Sequence, residues 1–166
     1  MTAWLVTGGA GYIGAHVVEA LIASGRTAIV FDDFSSGLDR RLRPGVPVVR
    51  GSVLDRDAVT RALVEHEIDG VVHLAAKKAV GDSVDEPLYY FRENVGGMVA
   101  LLEAMRDVGV TRLVYSSSAA VYGTAEVNPV TETTPLRPES PYGQTKGAGE
   151  WLASDSGVAW DLSWAA

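Results

Sequence analysis

Thr7-Gly8-Gly9-Ala10-Gly11-Tyr12-Ile13-Gly14 joins two stretches of different periodicity, and that junction decides the fold. Before it, Ala3-Trp4-Leu5-Val6 is a short apolar run that reads as a strand. After it, apolar residues at 13, 17, 18, 21 and 22 follow helical spacing from Tyr12 to Ser24. Strand, glycine turn and helix together are the context a dinucleotide loop requires. Gly9-x-Gly11-x-x-Gly14 has the phosphate-binding spacing, in which one glycine makes the turn, one lets a pyrophosphate reach the backbone, and one packs helix on strand. The helix start adds unpaired N–H groups and a positive dipole end. A turn that merely tightens strand against helix is the competing reading, and residues further along the chain weigh against it.

Moving outward, Thr27 to Phe31 is a β-rich run ending in Asp32-Asp33-Phe34. Asp32 lies about 20 residues beyond the loop, where a carboxylate accepts hydrogen bonds from the adenosine ribose of NAD and repels the 2′-phosphate of NADP. Pro47 to Arg50 reads as a third strand, and Asp55 to Glu67 as a helix with Asp55 as its N-cap. Ile68 to Ala76 is a nearly continuous apolar run, as in strands covered on both faces. Lys77 and Lys78 leave that strand on the edge where a cofactor should sit; Lys77 is expected in solvent. His73, inside the strand, is expected to be a satisfied core or crevice histidine, and His16 and His66 stand at no ligand spacing to it, so no metal is expected.

Pro87 to Val108 reads as one long helix, interrupted only by Gly96-Gly97, each of which costs about 1 kcal/mol against alanine unless a backbone needs close approach there. Leu113-Val114-Tyr115 is a fifth strand that delivers Ser116-Ser117-Ser118 to the same carboxyl edge. Prolines 129, 135, 138 and 141 make the stretch from Val121 to Pro141 a loop. Then Tyr142 and Lys146 stand four apart at the start of a helix, on one face. Lowering a tyrosine by about three pKa units takes about 4 kcal/mol. An ammonium at ~4 Å supplies about that much at an effective dielectric of 20. Strands alternating with helices imply an α/β fold with a doubly wound parallel, Rossmann-type sheet carrying the cofactor at the carboxyl ends of its strands.

Composition narrows the function classes. The chain has 166 residues, 47% hydrophobic and 21% charged, which suits one soluble globular domain. It has no cysteine, which excludes disulfides and thiolate metal sites and agrees with a reducing cytoplasm. A net charge of -7 argues against a nucleic-acid surface, and the cluster Arg40, Arg41 and Arg43 reads as a solvated loop. No apolar stretch approaches the ~20 residues that span a bilayer.

Taken together, Thr7 to Gly14, Asp32, Asn94, Ser116 to Ser118 and Tyr142-x-x-x-Lys146 resemble the extended short-chain dehydrogenase/reductase superfamily. Within it, Lys78-Ala-Val-Gly-Asp-Ser-Val with Pro87, Ser116 to Gly123, and Ser140-Pro-Tyr-Gly resemble the UDP-glucose 4-epimerases. The resemblance implies NAD contacts from Gly8, Gly11, Tyr12, Ile13 and Gly14. Further contacts come from Asp32, Asp33, Phe34, Ser35, Ser36 and Gly37, from Ser52 and Val53, and from Leu74, Ala75, Ala76 and Lys78. Asn94, Ser116, Tyr142 and Lys146 complete the set. It also implies Tyr142 as base with Lys146 beside it, Ser118 bonded to the sugar 4-hydroxyl of a UDP-hexose, and hydride passing from C4 to NAD and back. The related dehydratases carry acids just after the serine, where this chain has Ala119 and Ala120, so elimination is disfavoured.

The pattern also departs from the family. Ser52 stands where an aspartate usually bonds the adenine amino group, and Gly147 and Gly149 are expected to loosen the catalytic helix. Ala159 to Ala166 resembles the sixth strand, and the family's substrate domain is expected to be absent from this chain, as a fragment of a longer gene product or a truncation would lack it, so the chain alone is expected to bind NAD weakly and to epimerise little. The other readings are a non-catalytic NAD-binding remnant or another nucleotide-sugar enzyme of the superfamily. A homodimer through helix 87 to 108 and the helix after Tyr142 is implied by the resemblance.

Overall fold

Five strands and the helices between them follow the order that the periodicity predicts, and a short sixth strand closes the sheet where the family resemblance implied one. The computed structural model describes residues 2–166. Strands β1 (Ala3–Thr7), β2 (Thr27–Asp32), β3 (Val48–Arg50), β4 (Gly70–His73), β5 (Arg112–Tyr115) and β6 (Ser163–Ala165) all pair in parallel, in the spatial order β3-β2-β1-β4-β5-β6. Helices α1 (Tyr12–Ala23), α2 (Arg56–Glu65), α5 (Gly97–Val108) and α6 (Pro141–Trp160) make the crossovers. The expected doubly wound sheet is therefore the one found.

Neighbouring residues of a strand face opposite layers. Leu5, Ile29, Phe31, Val71 and Leu113 cluster with Val59 and Leu63 of α2, Met98, Leu101 and Met105 of α5, and Ala153 of α6. Val6, Val30 and Val72 face the other way and cluster with Val18 of α1, against which Val17, Leu21 and Ile22 also pack. Right-handed crossovers explain the division: β1 to β2 steps one way along the sheet, whereas β3 to β4, β4 to β5 and β5 to β6 step the other way. Beyond β4 the α1 side of the sheet is open, and Arg112, Val114, Ser163 and Ala165 are exposed.

Several boundaries differ from the sequence reading, for physical reasons. The run from Ile68 to Ala76 yields only four strand residues, because Leu74, Ala75 and Ala76 leave the ladder beside the glycine loop. A short α3 (Val80–Asp85) follows, too brief to register as periodicity. The stretch from Pro87 to Val108 is helical throughout but not uniform: α4 (Pro87–Tyr90) and α5 are joined by a π-helical segment, Phe91–Gly96. Gly96 and Gly97 do mark a close approach, since a Cβ on Gly97 would stand 2.8 Å from the Val53 side chain. At the other end, Ala159 and Trp160 belong to α6, and only Ser163–Ala165 pairs as a strand. Gly147 and Gly149 do not loosen α6. Both are buried in an unbroken helix, where a Cβ on Gly149 would strike the Tyr115 ring.

Asp55 caps α2 as expected, its carboxylate accepting from the Ala58 N–H at 2.9 Å. No helix among the described residues is long and apolar enough to cross a membrane.

Candidate functional site

Strand order reverses between β1 and β4, and a cleft of about 340 Å³ opens at their carboxyl ends, where open α/β sheets bind ligands. Its floor is the glycine loop. Gly8 has φ +70°, its N–H donates to the Phe31 carbonyl at 2.8 Å, and a Cβ there would lie 2.7 Å from the Ala75 nitrogen. A Cβ on Gly14 would strike the Gly8 carbonyl. Helix α1 starts after Gly11 with no side-chain cap, so the N–H groups of its first turn remain for a ligand. Asp32 is buried at the β2 side. One of its oxygens accepts from the Ala10 N–H at 2.9 Å and the other from Phe34 N–H at 2.8 Å, which aims the carboxylate and leaves each oxygen a lone pair for ribose hydroxyls. A bare-backbone cradle beside a fixed carboxylate fits a dinucleotide.

At the fork, Thr7 Oγ1 receives the N–H groups of Leu74 at 3.2 Å and Ala75 at 3.4 Å, so its own hydrogen goes to His73 Nδ1 at 2.7 Å. That leaves the ring proton on Nε2. The imidazole stacks on Tyr115, and burial, with the Lys146 charge adding, pushes its pKa down to about 3. It is the crevice histidine that the strand pattern implied.

The far end of the cleft is built on the first turns of α6. Ser140 caps the helix by accepting from the Gly143 N–H at 3.1 Å, and buried Ser83 of α3 accepts from the Tyr142 N–H at 3.2 Å. These two contacts set where Tyr142 sits. Tyr142 and Lys146 both face the cleft. Lys146 is 3% exposed, and its ammonium donates to the Ser116 carbonyl at 2.7 Å. Burial pulls its pKa down to about 8. Ser117 donates to Glu150 one helical turn further along, and Ser118 Oγ accepts from the Ala120 N–H at 3.2 Å, capping a single 3₁₀ turn, Ala119–Val121.

The sequence model of the NAD dependent epimerase/dehydratase family matches residues 4–165. The chain belongs to that family. It is 40% identical over 161 residues to the UDP-glucose 4-epimerase of Lacticaseibacillus casei, covering 97% of this chain and 49% of the relative. It is 42% identical over 160 residues to that of Streptomyces lividans, covering 96% and 49%. Among solved structures, the UDP-glucose 4-epimerase from Brucella ovis in complex with NAD superposes with a TM-score of 0.95 at 36% identity, over 99% of this chain and 50% of that one. The Thermus thermophilus enzyme in complex with NAD gives 0.93 at 40% identity, over 98% and 53%. This chain thus spans about half the length of the epimerases it matches. NAD is the cofactor of the epimerase/dehydratase family.

Most residues expected to meet NAD do line this cleft of the family member. Gly8, Gly11, Tyr12, Ile13 and Gly14 form one wall, with Asp32, Asp33, Ser35 and Ser36 next to them. Ser52 and Val53 lie at the β3 end, Leu74, Ala75, Ala76 and Lys78 along β4, and Ser116, Tyr142 and Lys146 at the far end. Phe34, Gly37 and Asn94 do not line it, and neither does Ser118, which was expected at the sugar. Phe34 turns away under the Arg50 guanidinium, 3.8 Å from its ring centroid. Gly37 packs its backbone against Ala10 and the Asp32 carboxylate. Ser118 sits beyond Ser116 on its 3₁₀ turn. Asn94 lies behind the wall: its amide accepts from the Lys77 N–H at 2.8 Å and donates to the Lys77 carbonyl and to Thr145 Oγ1, both at 3.0 Å.

Sequence reasoning left Lys77 in solvent, and there the structure differs. Lys77 is half-buried on the cleft wall, its ammonium donating to Ser35 Oγ at 3.1 Å. Ser83 and Tyr90 were also missed. Tyr90 is buried, and its hydroxyl accepts from the Ala79 N–H at 3.1 Å. Ser83 lies inside the stretch Lys78 to Val84 that carries the family resemblance, so a signal for it existed without a role attached.

Proposed function

We propose that this chain carries the cofactor site and the catalytic residues of a UDP-hexose 4-epimerase that interconverts UDP-glucose and UDP-galactose. The observation that carries the reading is Tyr142 on the same cleft wall as an ammonium already buried at Lys146, with Ala119 and Ala120 in place of acids. UDP-glucose 4-epimerases of known structure that superpose on nearly the whole chain support it, including one from Thermotoga maritima solved with UDP-glucose.

Each residue's part follows from its surroundings. Bound NAD supplies reversible hydride exchange with a sugar carbon. Tyr142 takes the proton of the 4-hydroxyl at its phenolic oxygen and returns it when the opposite configuration forms. Lys146 favours the phenolate: an ammonium held by burial at a pKa of about 8, with one hydrogen bond to Ser116, gains from any anion brought near it. Ser118 Oγ uses a lone pair on Ala120 and keeps its hydrogen for the sugar. Asp32 binds the ribose of NAD and disfavours a 2′-phosphate.

We further propose a homodimer. Leu88, Phe91 and Val99 of the α4–α5 helix and Trp151 of α6 are exposed apolar side chains, suited to a second copy. A cytoplasmic location accords with the absence of cysteine.

The test joins this chain to the remaining half of the Streptomyces lividans epimerase and follows conversion of UDP-galactose to UDP-glucose. Turnover that Tyr142→Phe abolishes while NADH binding persists is the expected result. A folded, NADH-binding chimera without turnover would replace the enzyme reading with that of a dinucleotide-binding module. The chain by itself is expected to bind NAD weakly and to turn over little.

A further inference from the structure

The two lips of the cleft are joined by one side chain. Lys77 leaves the end of β4, and its ammonium reaches Ser35, 42 residues away in sequence on the loop after β2. Its root is fixed at two points by the Asn94 amide, which is buried and tied in turn to Thr145 of α6. The ammonium also lies over the Tyr89 ring, 5.7 Å from its centroid. Lys78, one residue on, has no such anchor and is exposed.

We propose that Lys77 is a strap across the nucleotide cleft that lifts to admit the dinucleotide and closes to retain it. The latch partner makes this workable. A serine hydroxyl is neutral, and at a half-exposed position its bond to an ammonium is readily exchanged with water. Ser35 occupies one of the three N–H groups of the ammonium, and the others can donate to ribose or phosphate oxygens lying between the lips. The charge persists at neutral pH. Burial acts to lower the Lys77 pKa, but the Tyr89 hydroxyl and the Asp33 and Glu93 carboxylates outweigh it and hold it above the ordinary lysine value. A rigid root, a cation at the tip and a weak latch together make a closure that adds to residence time more than to capture.

This role rests on the reading of the cleft as an NAD site, and one experiment separates the two. NADH is bound to the purified chain and displaced by excess NAD in a stopped-flow fluorimeter. Lys77→Met is expected to speed release about tenfold, the size of one charge-assisted hydrogen bond, with little change in the association rate. Lys77→Arg is expected to stay within about threefold of the original release rate, because it keeps the cation and its donors. Ser35→Ala is expected to speed release less than Lys77→Met does, and to add nothing once Lys77 is methionine. Release that ignores Lys77→Met, or a Ser35→Ala effect that persists undiminished in the double variant, overturns the strap and leaves the NAD site standing. Failure of the unmodified chain to take up NADH overturns both.

Discussion

His73 offers a direct test of how the centre of the sheet is held. It lies 2% exposed at the fork between β1 and β4, accepts the Thr7 hydroxyl on Nδ1, and has its pKa pushed down to about 3 by burial and the nearby Lys146 charge. In the unfolded chain it titrates at its ordinary value of 6.5. Because the folded value is the lower one, the unfolded state binds the extra proton as pH falls. The stability His73 supports is complete above about pH 7 and is lost progressively towards pH 3. Between pH 7.5 and pH 5 the loss works out at about 2 kcal/mol, since the unfolded imidazole is then almost fully charged and the folded one is not. Urea unfolding of the original chain and of His73→Asn, at pH 7.5, 6 and 5, isolates this contribution. Asparagine keeps an acceptor for the Thr7 hydroxyl, cannot titrate, and loses the stack on Tyr115. The variant should be weaker at pH 7.5, yet its fall to pH 5 should be smaller than that of the original chain by about 2 kcal/mol. Parallel curves would refute the argument, as would an imidazole in the folded chain that titrates near 6.5 by NMR.

Other residues make equally pointed predictions. Lys146→Met should raise stability at pH 7 by on the order of 1–2 kcal/mol, because the buried ammonium is replaced while the Ser116 carbonyl loses its donor; the gain should vanish above about pH 10 in urea titrations, and the turnover proposed for the chimera should be lost. Gly14→Ala would set a methyl against the Gly8 carbonyl and 2.7 Å from Gly9 Cα; it should remove measurable NADH binding and lower stability by about 1–3 kcal/mol in thermal melts. Asn94→Ala deletes three hydrogen bonds, one buried and two partly buried, and should destabilise by about 3 kcal/mol, at ~1 kcal/mol each, while weakening NADH affinity in a fluorescence titration.

What could be read from the sequence was whatever depends on backbone geometry close along the chain. The glycine spacing, the acid at Asp32 and the Tyr142 to Lys146 interval are local patterns, and each lies on the cleft as expected. The doubly wound parallel sheet followed from alternation of apolar runs and helices, because right-handed crossovers leave few alternatives. Residues whose role depends on a distant partner were illegible. Lys77 looks like any surface lysine until Ser35 and Asn94 are seen on either side of it. Asn94 could be matched to the family, but only the packed helix turns it towards the Lys77 backbone instead of the cleft. The expectation of a loose catalytic helix failed for a similar reason. Helix propensity counts Gly147 and Gly149 as weak points, whereas contact with Tyr115 makes the missing side chain at Gly149 the condition for packing.

The π-helical turn from Phe91 to Gly96 places a constraint on chain length. An α-helix advances about 100° per residue, whereas a wide turn takes up one extra residue with little net change in the angular phase between the two ends of the helix. Upstream of Asn94, that phase sets Tyr90 against Ala79; downstream, it sets Gly97 against Val53. Deleting one residue between Phe91 and Gly96 would leave an ordinary α-helix whose ends keep nearly the same phase, whereas adding one would turn the two ends by about 100° relative to each other, so that they could no longer both meet their partners. Substitutions within this segment can be absorbed one side chain at a time. A further inserted residue cannot, because the wide turn has already taken up the one that the helix has room for, and that upper limit on residue count is as much a part of the site as any functional group on it.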